Sequence, residues 1–416
     1  MPTVRLKPRK ARPFFGRHPW VLDAAIQSVS ERPADGDVVD LVTERNEFIA
    51  RGIVNSKSRI RVRLYTWDEA EQLDDAFWRR RIEAAVSLRR QIGYVTDCGA
   101  CRLVNNEADG LGGLIVDRYG PYLVVHVTAL AMERRLDVIV PTLIDVCQAQ
   151  DSTGQGSAVH GVLVRADEAM AKREGLELAP AAEGAPLHSN NILRTWGTLP
   201  SDTIHIDEHG LRYNVDLLGG QKTGFFLDQR ENRRAAAQYL HDRTVLDVCC
   251  YSGGFSMAAA KLGGASEVLG IDTSSRAVAL AEANVALNGL HNVRFETGDA
   301  FKTVSAFVAE ERKFGAVVLD PPKFAANRNA LPEAFRAYER LNLGAINLLE
   351  PGGILVTCSC TGAVTREDFT HMLAEAAARA KRPLQILETR GPAPDHPFSV
   401  SCLETEYLKC FICRVG

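Results

Sequence analysis

Apolar residues along the chain change rhythm three times. Through residues 1–72 they come in short runs split by turns. Val38–Val42, Phe48–Ala50 and Ile60–Tyr65 read as strands, punctuated by Gly36-Asp37 and Arg51-Gly52. This region predicts a small β-barrel or open sheet. From about Asp74, residues Phe77, Trp78, Ile82, Val86 and Leu88 recur near helical spacing. Strands follow at Leu114–Val116, Tyr122–Val127 and Gly161–Arg165, with a long helix over roughly 130–149 and a loop over Asp151–Ser157. Residues 73–195 thus predict an α+β region. Residues 179 to about 200, rich in Ala, Pro, Ser and Asn, read as a connector. Residues 204–216 read as a hairpin turning at His209-Gly210. From Thr244 strand and helix alternate to the end, which predicts a doubly wound, Rossmann-like α/β sheet in a C-terminal domain, 196–416.

Three segments of that last region carry candidate chemistry. The first is an apolar strand that ends at Asp247 and runs into Cys249-Cys250-Tyr251-Ser252-Gly253-Gly254, where glycines let backbone approach a ligand. The second is Val317–Leu319 followed by Asp320-Pro321-Pro322-Lys323-Phe324. The third, Gly353–Gly362, ends in Cys358-Ser359-Cys360. In a parallel sheet, ligands gather at the carboxyl ends of strands. The order therefore predicts a cofactor loop, an acid and a thiol on one rim. Asp272, ending the next strand, suits the two hydroxyls of a ribose, and Asp299, after Val293–Thr297, suits an adenine amino group. The loop lacks a strict G-x-G-x-x-G, which favours S-adenosylmethionine over a nicotinamide dinucleotide. Two prolines make Asp320 a rigid acid for the edge of a flat base, with Phe324 placed to stack on it. Period-two alternation puts Cys358 and Cys360 on one face, with Cys358 roughly 6.6 Å deeper. Cys360 is the expected nucleophile and Cys358 a core residue.

Charge adds a partner. The net charge of −3 argues against indiscriminate coating of nucleic acid, yet Arg5, Lys7, Arg9, Lys10, Arg12 and Arg17 precede the first acid, Asp23. Phe14, Phe15, His18 and Trp20 interleave with them. A solvated tail and a phosphate-contacting edge are both open; the aromatics favour the edge. On the second reading, removing residues 1–17 weakens RNA binding and spares cofactor affinity. The ten cysteines, with nothing that marks export, predict a reduced, cytoplasmic setting. Cys410 and Cys413 sit three apart on a predicted strand and face opposite sides. Cys98 and Cys101 fall in a predicted turn without a second pair. No metal and no membrane span are expected.

Further motifs identify a resemblance that covers nearly the whole chain. Gly16-Arg17-His18-Pro19-Trp20, Asn106–Tyr119, Glu174–Leu176, Gln221–Arg230, Asp320–Phe324, Ser359–Gly362, Asp395–Pro397 and Tyr407–Lys409 together resemble the bacterial PUA-containing class I methyltransferases that make 5-methylcytosine in large-subunit (23S) ribosomal RNA. The resemblance implies an RNA-binding PUA domain at the N-terminus, S-adenosylmethionine as cofactor and Cys360 as the cysteine that attacks the base. It implies cofactor contacts from Phe226, Arg230, Asp247, Tyr251, Gly253, Asp272, Asp299 and Asp320. It also implies RNA contacts from Arg9, Lys10, Arg17, His18, Trp20, Lys323 and Phe324. The assembly is left open, with a homodimer among the options.

The implied reaction starts when Cys360 adds to carbon 6 of a cytosine, because carbon 5 is a poor nucleophile until then. Asp320 steadies the charge that develops. The methyl group passes to carbon 5, and loss of the carbon-5 proton releases the cysteine; His396 and Lys409 are candidates to accept it. The base must be unpaired or flipped out. Two rivals stand beside this reading: methylation of a guanine nitrogen, which needs no thiol, and a non-catalytic RNA-binding or ribosome-assembly factor. A small-molecule or protein methyltransferase leaves the basic, aromatic N-terminus unexplained.

Overall fold

The computed structural model describes all residues except 97–98, 150–157, 179–190, 219–223 and 326–327. The chain forms two compact units. The first comprises Met1–Ile206, Val215–Phe225 and Pro394–Thr405; the second comprises Asp207–Asn214, Phe226–Ala393 and Glu406–Gly416.

In the first unit, six strands make one sheet: β1 (Thr3–Leu6), β2 (Trp20–Leu22), β3 (Ile26–Val29), β4 (Val38–Val42), β5 (Phe48–Val54) and β6 (Ile60–Thr66). Their spatial order is β2-β6-β5-β4-β1-β3, and only β1 and β4 run parallel. This corrects the tail reading of the N-terminus. Val4 and Leu6 are sealed in the core, and β1 pairs on both sides. Arg51-Gly52 does not end a strand but lies within β5, at a shift of register. A Cβ at Gly52 would collide with the Arg63 carbonyl on β6, so glycine marks a close approach there.

A second sheet, ordered β11-β10-β9-β8-β7, contains β7 (Ala100–Asn105), β8 (Leu114–Tyr119), β9 (Tyr122–Val127), β10 (Gly161–Arg165) and β11 (Ile192–Gly197). Strand β11 lies in the stretch read as a connector and crosses the division drawn at residue 195. Cys101 is a buried residue of β7 rather than part of a turn; Cys98 and the loop at Asp151–Ser157 lie outside the described residues. The helix expected over 130–149 is two helices, Leu130–Glu133 and Leu136–Gln148. Helix Asp75–Gln91 starts where Asp74 accepts a hydrogen bond from Phe77 N (2.8 Å). It buries Phe77, Trp78, Ile82 and Val86 in a core shared with both sheets of this unit.

Strands β12 (Ile204–Glu208) and β13 (Leu211–Val215) form the expected hairpin, with His209 (φ 52°) and Gly210 (φ 79°) both left-handed at its turn, as a tight two-residue connection requires.

The second unit is built on a seven-stranded sheet: β14 (Thr244–Val248), β15 (Glu267–Asp272), β16 (Val293–Thr297), β17 (Phe314–Leu319), β18 (Leu349–Ser359), β19 (Leu384–Arg390) and β20 (Lys409–Val415). The order is β16-β15-β14-β17-β18-β20-β19, with β20 antiparallel to both neighbours. The strand–helix alternation therefore fails at the end, where only a short 3-10 turn, Leu403–Thr405, separates β19 from β20. Val, Ile and Leu on both faces of β14, β17 and β18 are buried, as for a sheet covered by helices on both sides. The order reverses between β14 and β17. A ligand crevice belongs at that switch point, above the carboxyl ends.

Candidate active site

Strand β14 delivers Asp247, which is fully buried. One carboxylate oxygen accepts from Ser256 Oγ at 2.6 Å, while Oδ1 is buried with no hydrogen-bond partner. Burial pushes this carboxyl up to about 6, with the Asp272 charge adding to the effect. The chain then turns sharply through Cys249 (φ 64°), Tyr251 (φ 47°) and Gly253 (φ 81°). Two of these left-handed residues are not glycine, which costs roughly 1–2 kcal/mol each. The turn is held against that cost. Both Cys249 N and Cys250 N donate to Ile271 O, and Tyr251 N donates to Asp272 Oδ2 at 2.9 Å. At Gly253 a Cβ would sit 2.8 Å from Phe295 Cζ, so glycine is required twice over. Helix Gly254–Lys261 follows.

Asp272 closes β15. Its Oδ1 accepts from Ser274 N (2.9 Å), so both oxygens are oriented by backbone amides and each keeps an acceptor site. Asp299 is exposed and caps helix Ala300–Ala309 through Lys302 N (2.9 Å). Phe226 and Tyr251 meet edge to face with centroids 5.1 Å apart. Phe226 is fixed from behind: Arg233 donates to its carbonyl (3.0 Å) and grips Glu208 through two bonds, 2.8 and 2.7 Å. Burial opposes the Glu208 charge, but Arg233 outweighs it and holds that carboxyl below its ordinary value. Arg230 turns to the same Glu208 (3.4 Å), so its guanidinium serves this buried cluster. Neither Glu208 nor Arg233 was singled out in the sequence, because a cross-fold ion pair has no local signature. Of the expected Gln221–Arg230 motif, residues 221–223 lie outside those described.

Asp320 follows β17 directly, and its carboxyl is pushed up to about 7 by burial, with Asp228 and Asp247 reinforcing the shift. Gln229 donates to its Oδ1 at 3.0 Å. Cys360 lies just past the end of β18, half-buried, with Sγ 3.9 Å from Pro321 O. Cys358 is sealed and faces Cys410 across β18 and β20, and burial drives its thiol well up. Cys410 and Cys413 pack in cores on opposite sides of the sheet, as expected. Cys249 and Cys250 are likewise driven up by burial and by neighbouring acids. Phe324 packs on Tyr338 at 4.7 Å, and Tyr338 OH joins Ser359 (3.0 Å) and Thr361 (2.9 Å) on either side of Cys360. Lys323 is exposed. Lys409 is buried, donates to Thr361 O and Tyr407 O (both 2.8 Å), and is lowered to about 8 by burial, with Cys360 opposing. Two carbonyl acceptors hold its ammonium in place. His396 is buried in the first unit against Asp395 (2.8 Å).

On the first unit, Arg9, Lys10 and Arg17 are exposed. So is Phe15, at 62%, which the sequence placed among the aromatics without assigning it a contact. His18 and Trp20 are half-buried and engaged: Trp20 Nε1 donates to Glu107 at 2.9 Å. His18 Nε2, Cys402 Sγ and Glu404 Oε2 lie within 4.8 Å of one another. The Trp20 N–H donates to His18 Nδ1 (3.3 Å), which leaves the proton on Nε2, facing Glu404 at 3.4 Å. A metal would need the lone pair of that nitrogen.

The crevice fits S-adenosylmethionine. The orphaned Asp247 Oδ1 suits its ammonium, and the oriented Asp272 carboxylate suits its ribose. Comparison with known proteins agrees. A model of S-adenosylmethionine-dependent methyltransferases matches residues 188–406, and one of PUA-like domains matches residues 4–67. The chain is 38% identical over 415 residues to ribosomal RNA large subunit methyltransferase I of Tolumonas auensis, covering 99% of each. To the protein of the same name from Klebsiella pneumoniae (strain 342) it is 35% identical over 419 residues, covering 100% of this chain and 98% of that one. Among solved structures, a protein from Streptococcus mutans superposes with a TM-score of 0.80 at 20% identity, covering all of both chains. The chain belongs to the PUA-containing, S-adenosylmethionine-dependent methyltransferases, the family that includes the large-subunit methyltransferase I proteins. Its cofactor is S-adenosylmethionine. Among the described residues no helix is long and apolar enough to cross a membrane.

Proposed function

We propose that this protein methylates carbon 5 of a cytosine in large-subunit ribosomal RNA, in the cytoplasm, through a covalent adduct of Cys360 with carbon 6. One observation carries the reading. Cys360 stands at the end of β18 beside the Asp320-Pro321 turn, partly open, while Cys358, Cys410 and Cys413 are sealed. A transfer to a guanine nitrogen gives a thiol at that place nothing to do.

The cofactor supplies an electrophilic methyl group on a sulfonium. The chain's own residues do the rest. Asp247, Asp272 and the left-handed turn orient the cofactor; Phe226 and Tyr251 flank it. Asp320 meets the base edge. The Cys360 thiolate forms the bond to carbon 6 and pushes electrons to carbon 5, which takes the methyl group; solvent water then accepts the carbon-5 proton as the carbon–sulfur bond breaks and the thiolate is released. The Lys409 cation, held beside Thr361, attracts the negative sulfur of Cys360 as it attacks. Arg9, Lys10, Arg17 and exposed Phe15 supply phosphate contacts and a stacking face for unpaired RNA; Lys323, Phe324, His18 and Trp20 are the remaining RNA candidates.

Nucleoside analysis of large-subunit RNA treated with the protein and labelled cofactor tests this. We expect label in 5-methylcytidine alone, and at least a thousandfold slower transfer by Cys360→Ala. Label in a methylguanosine, or unchanged transfer by Cys360→Ala, overturns the proposal.

A further inference from the structure

Asp320 is reached by a chain of amides whose orientation is fixed from its far end. Arg390 donates through Nε to Oδ1 of Asn232 at 3.1 Å. A guanidinium has no acceptor, so that atom of Asn232 has to be the amide oxygen. The Asn232 nitrogen then donates to Gly391 O (3.0 Å) and to Gln229 Oε1 (2.6 Å). Gln229 in turn has only its N–H left for Asp320 Oδ1, at 3.0 Å. Arg390 is itself pinned: Nη1 donates to Glu388 (2.7 Å), whose other oxygen accepts from Tyr239 OH (2.7 Å). Gln229 and Asn232 are 3% and 1% exposed, so water does not compete for these bonds. Turning either amide over would set donor against donor, or acceptor against acceptor.

We propose that Arg390, Asn232 and Gln229 form a positioning device for Asp320, holding Oδ1 as a permanent acceptor so that any proton on this carboxyl resides on Oδ2. The inference rests on the reading of Asp320 as the residue that meets the base edge. Both protonation states are populated near neutral pH, since burial, Asp228 and Asp247 push this carboxyl up to about 7 while Gln229 and Arg233 pull it down. Cys249, Cys358 and Tyr338 also feel its charge. With the proton confined to one oxygen, Asp320 offers the base one acceptor or one donor at a defined place. A carboxyl free to protonate on either oxygen would present both patterns and discriminate poorly between base edges.

The test reads Asp320 directly, in full-length protein labelled with carbon-13 at the aspartate carboxyl. Its signal is assigned by its loss in Asp320→Asn. In Asn232→Asp the new carboxylate still accepts from Arg390 but cannot donate to Gln229. The Gln229 amide then turns, and its oxygen faces Asp320. We expect the Asp320 midpoint to rise by about one pH unit or more, a tenfold gain in proton affinity. In a Gln229→Met background there is no amide to turn, and the same substitution is expected to shift the midpoint by less than half as much. Equal shifts in both backgrounds would mean that only the added charge acts, and no shift would mean that the chain of amides does nothing; either overturns the proposal. Should Asn232→Asp fail to fold, Gln229→Met alone still has to raise the midpoint, because it removes an N–H from the carboxylate. The pH profile of RNA methylation separates the two claims. If the NMR midpoint moves and the profile does not follow, the device stands and the reading of Asp320 at the base edge fails.

Discussion

A single buried carboxylate sets the sharpest expectation for cofactor binding. Asp247 keeps one oxygen without a partner, and its carboxyl is raised to about 6 from an ordinary 3.8. An ammonium pairs with the carboxylate form, so affinity for S-adenosylmethionine is expected to climb as pH rises through about 6 and to level off above it. Stability of the ligand-free protein runs the other way: this group contributes most below pH 4, and that contribution is lost as pH rises through about 6. Calorimetry at several pH values checks the first claim, and Asp247→Asn should bind about tenfold more weakly at pH 7.5, with the pH dependence gone. An unchanged profile would remove Asp247 from the cofactor site. Asp247, Asp272, Asp320 and Cys360 were legible in the sequence because each ends an apolar run just before glycine, proline or a break in pattern. Asn232, Glu208 and Arg233 were not, and Gln229 stood only inside a longer motif with no role of its own. Their partners lie up to 159 residues away, and the hydrogen bonds that define them exist only once the fold has formed.

At the level of elements, apolar or alternating runs flanked by turns were readable, as at β4, β6, β9 and β10. Those that failed did so for identifiable reasons. β1 hides its two core residues, Val4 and Leu6, among cations. β11 is an edge strand with little burial, and the Ala, Pro, Ser and Asn that precede it mask its own Ile, Leu and Trp. β19 is an edge strand too, and only its pairing with β20 marks it. The consequence for experiment is direct. Deleting residues 1–17 removes β1 and Phe14 from the core and is expected to lower the melting temperature, so it cannot isolate RNA contacts. Replacing Arg9, Lys10 and Arg17 together with alanine leaves the core intact. That variant should melt as wild type does, bind RNA more weakly and show a log-affinity against log-salt slope shallower by roughly 2, from three lost phosphate contacts. A salt slope equal to wild type would move the RNA interface elsewhere.

For the whole molecule, the sequence separated an N-terminal β region from a doubly wound C-terminal sheet, and the structure has both. The chain does not divide by simple succession, however. Segments 215–225 and 394–405 return to the first unit, and the hairpin tip 207–214 joins the second, where Glu208 meets Arg233. Periodicity cannot reveal such exchanges, because each segment is locally unremarkable. The central claim, that Cys360 attacks the base, is tested most directly with RNA in which 5-fluorocytidine replaces cytidine. Fluorine at carbon 5 cannot leave as a proton does, so methyl transfer should trap the enzyme on the RNA. Mass spectrometry of the digested complex is expected to find the nucleotide on Cys360 and on no other cysteine, only when S-adenosylmethionine is present. Methylated RNA with an unmodified Cys360 would contradict the account.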